Sequence, residues 1–344
     1  MNNFTRKVFV FLLLSQTGQS IAGEHYSKAV IIMSGGAAVS PFTTPKQACT
    51  TGLAAGSTDT FMREYLLKQG YHVFTAPAMA GYGQVPPSAD KKAGPFGDCP
   101  KALPDVMTVN STGDIQLAGV HLANFVQFLG REYGVEQVHF VAHSMGGLYS
   151  RSAIQSLQQA GSRIEVSSLT TLGTPWEGTP FANPTDPANP LSGCDGQKIC
   201  EYMLGVFASE APIVKVELNR QQMSGLNGNN AGVLDQIPVT LIGGNAFKKP
   251  GGDPKAWPND GIVDLASAMA QQVPDRVIKH RRCHRYEGGT HSLWVSQNSD
   301  PVLPDATAIT WNKTVGDWVA QAIRGARGVL REPDREGCPQ QGNP

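Results

Sequence analysis

Apolar residues along this chain fall into short unbroken runs and longer one-sided stripes, and their alternation predicts a parallel β/α architecture. Residues 29–33 are apolar and β-branched and end in Ser34-Gly35-Gly36, the pattern of a buried strand followed by a loop whose backbone makes a close approach. Ser57, Thr58 and Asp59 stand as capping candidates ahead of Phe61, Met62, Tyr65 and Leu66, which predicts a one-sided helix over 57–68. Residues 71–76 are the next strand, and strand, helix, strand implies a parallel sheet. Ile115, Ala118, Leu122, Phe125 and Leu129 recur at intervals of three and four, so 114–133 is an amphipathic helix. Further on, 148–159 suits a helix and 164–172 a strand closed by Gly173-Thr174-Pro175-Trp176. The last two strands are expected at 239–243 and 276–282, and the closing helix at 315–327.

Two stretches break the alternation. Residues 82–104 hold Pro86, Pro87, Pro95, Pro100 and Pro104 with several glycines, so they form no regular element; a long loop there lies at the carboxyl edge of the sheet, where ligands bind. Residues 181–236 are rich in Pro and Asn around a helix near 199–208, and read as a cap or lid inserted over the site. The whole is expected to be one α/β domain over 23–328, a mostly parallel sheet with helices on both faces, followed by a polar tail at 329–344. A chain of 344 residues buries enough surface to need no metal or disulfide for its core.

The N-terminus changes the expected compartment. Arg6 and Lys7 precede the apolar residues 8–14, and Ser20-Ile21-Ala22 follow, which is the layout of a secretory signal over 1–22 cut after Ala22. Such a short run cannot cross about 30 Å of hydrocarbon as a helix, so no stable membrane anchor is expected. The protein is read as secreted or periplasmic. Six cysteines, Cys49, Cys99, Cys194, Cys200, Cys283 and Cys338, all lie beyond the cut. Sequence alone leaves about fifteen pairings open, and local pairing in chain order is the expectation. None of the spacings resembles a zinc site. Lys plus Arg number 28 and Asp plus Glu number 28, so no overall field draws a polyanion, and nucleic-acid binding is not expected. The chain is expected to act as a monomer without a cofactor.

Chemistry concentrates where residues 138–143 run into Ser144-Met145-Gly146-Gly147. An apolar strand delivered into a Ser between small residues, with helix-forming sequence after it, describes a nucleophile elbow; Ala142 replaces the first Gly of G-x-S-x-G. The rival reading, a Ser that merely caps a helix, leaves the strand and the glycines unexplained. A Ser hydroxyl is a poor nucleophile at neutral pH and needs a base, and the base needs an acid to orient it. In a sheet wound this way they follow in the order Ser, acid, His. His291 follows the flexible Glu287-Gly288-Gly289-Thr290 and can reach back to Ser144. His284 is read as a surface or packing residue; His139 and His143 flank the elbow, but the first lies in the strand and the second points aside from the nucleophile. Among acids, Asp260 sits in Asn259-Asp260-Gly261-Ile262-Val263, with Asp264 its nearest competitor and Asp253 and Asp235 weaker. An oxyanion needs preset donors: the Met145 N–H from the elbow, and Gly36 or Ala37 from the loop after the first strand, Gly36 being the choice. Trp176 and Trp294, with Phe181 and Met203, are candidates to line a substrate pocket, against the alternative of structural packing.

Ala142-His143-Ser144-Met145-Gly146-Gly147, the Gly173-Thr174-Pro175 turn, Asn259-Asp260-Gly261-Ile262-Val263 and the late His291 together resemble bacterial secreted lipases and esterases of the α/β-hydrolase superfamily. The resemblance spans roughly 28–327 and weighs the choice of acid toward Asp260. It implies hydrolysis of a small or lipid carboxylic ester through an acyl-enzyme on Ser144. Acyl transfer to an alcohol, action on a polymeric ester and an inactive binding protein are the other readings of the same fold. Two positions depart from the family pattern: Ser34-Gly35 stands for the usual His-Gly, and Trp176 where His or another polar residue is common. Some relatives bind structural calcium, but no Asp/Glu cluster here claims one.

Overall fold

The structure, a computed structural model, describes residues 24–47, 58–85, 101–326 and 334–338. The expected signal at 1–22, Cys49 with Cys99, Ser57 and most of the proline-rich loop lie outside the described residues. Nine strands are described: β1 (Lys28–Met33), β2 (Val73–Thr75), β3 (Ala78–Met79), β4 (Val109–Asn110), β5 (Gln137–His143), β6 (Glu165–Leu172), β7 (Val239–Gly244), β8 (His280–Tyr286) and β9 (Asp334–Glu336). Seven of them form one sheet in the order β2-β1-β5-β6-β7-β8-β9, with every neighbouring pair parallel.

Alternation within a strand divides the core in two. On β1, Ile31 and Met33 face one cluster with Phe74 and Phe140, while Val30 and Ile32 face the other with Val73, Val141 and Leu172. A strand covered on both faces must be apolar at every position, which is why this one reads as an unbroken run. The first cluster is closed by α2 (Ile115–Tyr133) and α3 (Gly146–Gln159). The second is closed by α1 (Arg63–Lys68) and α9 (Lys313–Gly325). The predicted stripe of α2 is the face that is buried; Asp114 caps its start by accepting from the Leu117 N–H at 2.7 Å, and Gly134 ends it at φ +64°.

Local sequence misplaces one strand. Residues 276–282 are the expected last strand, but β8 runs over His280–Tyr286. Val277 and Ile278 are buried in a turn before the strand, where the Arg281 guanidinium bonds the carbonyls of Ala270, Val273 and Ile278. Their apolar character reports burial, not strand. β8 itself reads as charged because it approaches the sheet edge. The polar tail supplies that edge: β9 pairs with β8, and the Cys283–Cys338 disulfide fastens it.

Between β6 and β7 the insertion carries α4 (Lys198–Glu210), α5 (Pro212–Glu217) and α6 (Arg220–Asn229). A second disulfide, Cys194–Cys200, ties the start of α4 to the turn before it. Two short helices, α7 (Leu265–Ala268) and α8 (Leu293–Asn298), follow the loops at the ends of β7 and β8. No helix among the described residues is long and apolar enough to cross a membrane.

Candidate active site

Ser144 stands between β5 and α3 at φ +54°, a conformation costly for a residue with a Cβ. The fold holds it from both sides: its N–H donates to the Leu172 carbonyl, and the Thr174 hydroxyl donates to its own carbonyl, each at 2.8 Å. The small residues of the motif have separate causes. A Cβ on Gly146 would stand 2.5 Å from the Met33 carbonyl oxygen, and one on Gly147 would stand 2.3 Å from the Thr174 hydroxyl. Ala142 is fully buried on β5 opposite Met33, where a methyl group is accommodated.

The loop after β1 discriminates between the two candidate donors. The Ala37 N–H is spent on the Ser111 carbonyl at 3.1 Å, whereas among the described residues the N–H groups of Gly36 and Met145 have no acceptor. Gly35 passes so near the elbow that a Cβ would lie 2.5 Å from that of Ser144, so this loop can face a carbonyl held on the nucleophile. Ser34, in the place of the family's His, is buried and pairs its hydroxyl with that of Ser40 at 2.8 Å, shaping the turn.

Asp260 and His291 meet behind this corner. His291 Nδ1 lies 2.8 Å from Asp260 Oδ2, and the His291 N–H donates to the Asp260 carbonyl at 2.7 Å. The other carboxylate oxygen accepts from the N–H groups of Ile262 and Val263 at 3.0 and 2.8 Å, which locks the rotamer. Both side chains are buried. Gly173, at φ +60°, leaves the space they occupy: a Cβ there would come within 2.9 Å of both Asp260 Oδ2 and His291 Nδ1. His291 Nε2 has no partner among the described residues, nor has the Ser144 hydroxyl; such contacts often close only when substrate binds. Asp264 is engaged elsewhere, capping α7 through the Ser267 N–H and pairing with Arg220 at 2.9 Å. Asp253 accepts from the Lys255 N–H in a turn. His284 stacks on Trp318 with ring centres 4.7 Å apart.

Ser144 and His291 line one cavity of about 460 Å³, with Gly36 and Met145 on the same wall. Its remaining surface is largely apolar. Phe181 and Phe207 stack at 5.3 Å, and Tyr202 of α4 stacks on Trp294 of α8 at 5.4 Å. Trp294 and Met203 are thus at the cavity, but Trp176 is not. Trp176 is fully buried, its indole N–H on the Thr171 hydroxyl and its ring 5.1 Å beneath the Arg151 guanidinium. Among the described residues no three His, Cys, Asp or Glu side chains converge as a metal-binding group.

Glu177, next along the chain, is a half-buried carboxyl group. Burial raises its pKa from 4.5 to about 7, against the opposing hydrogen bond from the Gln272 N–H. The folded protein therefore retains a proton that the unfolded chain releases between about pH 4.5 and 7. The associated stability is present below that window and is lost as pH rises through it. Glu177→Gln should leave the melting temperature unchanged at pH 4 and raise stability at pH 8 by about 1 to 3 kcal/mol. Thermal unfolding at the two pH values checks this, and equal shifts at both would contradict it.

Residues 106–189 match a family described as "Putative serine esterase (DUF676)". No curated protein matches the chain. Among solved structures, the propeptide form of the Bacillus licheniformis lipase BlEst2 is similar at 14% identity and a TM-score of 0.51, over 93% of this chain and 54% of that one. The chain therefore spans about half the length of that form. The mature form of the same lipase aligns over 89% of this chain and 96% of that one, at 16% identity and a TM-score of 0.49. The Pyrococcus furiosus esterase Pf2001 aligns over 88% and 83%, at 13% identity and a TM-score of 0.45. The fold is that of the α/β-hydrolases, and the family match, confined to residues 106–189, is to putative serine esterases.

Proposed function

We propose that the protein is a secreted serine hydrolase that cleaves small or lipid carboxylic esters, with Ser144 as nucleophile, His291 as base and Asp260 as its orienting acid. The observation that carries the reading is the buried Asp260–His291 pair, 2.8 Å apart, behind a left-handed Ser144 that opens onto the same cavity as His291. In this reading Ser144 Oγ attacks the ester carbonyl carbon and its proton passes to His291 Nε2. The oxyanion that forms is met by the N–H groups of Met145 and Gly36, and the positive end of the α3 dipole points the same way. Collapse expels the alcohol, which takes the proton from His291, and leaves an acyl group on Ser144. Water then repeats the sequence to release the acid.

The apolar cavity fits an uncharged acyl chain better than a charged one, because each buried charge would need a partner there. The pairing of Cys194 with Cys200 and of Cys283 with Cys338 supports an oxidising compartment. A fluorophosphonate probe is expected to label the protein at Ser144, and a p-nitrophenyl ester series to show turnover of soluble and emulsified substrates. Labelling elsewhere, or no turnover of any ester, overturns the proposal; turnover confined to short soluble esters removes the lipase half of it.

A further inference from the structure

His143 is the residue before the nucleophile, and its side chain is not idle. Its ring is buried and packs on the His291 ring, centroids 4.6 Å apart at 47°, and its Nε2 lies 2.9 Å from the His291 backbone carbonyl oxygen. A carbonyl oxygen only accepts, so Nε2 carries the proton and Nδ1 is bare. We infer that His143 is a positioning residue: it donates to the His291 carbonyl and thereby sets the loop that carries the base against the strand that carries the nucleophile. This rests on the Ser144 and His291 roles proposed above.

The hydrogen-bond inventory of His291 is what singles it out. Among the described residues His291 has three such bonds, and two of them, from Nδ1 and from the backbone N–H, run to Asp260. Only the third, from His143, comes from the side of Ser144. The loop before the base is anchored by Gly288 and Gly289 to Asn245 and Ala246, and by Thr290 to Thr307 and Ile309, none of which belongs to the strand or helix of the nucleophile elbow. Without the His143 donor, the loop keeps those anchors and its acid but loses its direct bond to the elbow, and the His291 carbonyl is left unpaired in a buried place. Burial, followed by the neighbouring His291, pushes the His143 pKa well below 6.5, so the ring stays neutral and adds no charge beside the imidazolium that forms during turnover.

The test separates a donor from a space-filler. His143→Gln keeps an amide donor at nearly the same reach, and His143→Leu keeps the volume without it. With p-nitrophenyl butyrate, His143→Leu should lose about 10- to 100-fold in kcat, as expected for a displaced base. Its KM should stay within about threefold, since the loss is of transition-state alignment, and His143→Gln should recover most of kcat. A Leu variant with wild-type kcat, or a Gln variant no better than Leu, overturns the inference. Should either variant fail to fold, the wild-type enzyme carries the test: with ¹⁵N-labelled histidine, His143 is expected at neutral pH to show a protonated Nε2 and a bare Nδ1. A protonated Nδ1 with a bare Nε2 overturns it equally. Fluorophosphonate labelling of wild-type Ser144 is read in parallel: its absence sinks the nucleophile assignment, whereas labelling with an indifferent His143→Leu sinks only the positioning role.

Discussion

Ser144→Ala is expected to reduce ester turnover by about a millionfold, the scale on which removal of a serine nucleophile acts elsewhere, while the protein unfolds as the wild type does. The two halves of this expectation have different origins. Activity disappears because no other hydroxyl occupies the elbow, and His291 alone has nothing to activate but water. Stability persists because the Ser144 hydroxyl has no hydrogen-bond partner among the described residues, so its removal orphans no buried group. Alanine also carries the same Cβ at φ +54°, so the backbone strain is unchanged. Residual turnover above the uncatalysed rate belongs to the Gly36 and Met145 N–H groups and to binding. Steady-state kinetics with thermal unfolding on one sample measures both, and a variant that kept even a hundredth of the activity would move the nucleophile elsewhere.

Asp260→Asn should cost about 10⁴ in kcat through the tautomer of the base. In the wild type Asp260 Oδ1 accepts two backbone N–H groups and Oδ2 faces His291 Nδ1. Asparagine can keep the first pair by placing its carbonyl oxygen there, which leaves its NH₂ toward Nδ1. That group can only donate, so Nδ1 must be the bare nitrogen and the proton moves to Nε2, where it blocks acceptance from Ser144. The loss should lie in kcat with little change in KM, and fluorophosphonate inactivation should slow in parallel. An Asn variant that inactivates at the wild-type rate would remove Asp260 from the mechanism and return Asp264 to contention.

What was legible in the chain was what is contiguous or periodic. The elbow is one unbroken segment, although the demands for Gly146 and Gly147 come from Met33 and Thr174, at or just past the ends of the strands on either side of it. The stripe of α2 and the unbroken run of β1 follow from burial on one face and on two. Expectations failed where burial and secondary structure part company, as at Val277 and Ile278, which are apolar because a turn buries them before β8 begins. Trp176 is a pocket candidate by sequence with structural packing as the alternative, and packing holds: the Arg151 cation and the Thr171 hydroxyl claim it. The sequence reads His143 as pointing aside from Ser144, and no local pattern shows what it points to: its acceptor is a main-chain oxygen, 148 residues further along. The choice of Gly36 over Ala37 likewise waits on Ser111, a residue with no motif.

The clasp between Cys283 and Cys338 reaches beyond the strand it holds. A three-residue strand is too short to keep its place by pairing alone, and without it β8 would present an open row of amides and carbonyls to any passing chain. By making that closure covalent, the molecule ties its protection against self-association to oxidising surroundings. Chains held in a reducing environment would keep a working interior but an adhesive flank, so their solubility, before their catalysis, would register where they had been made.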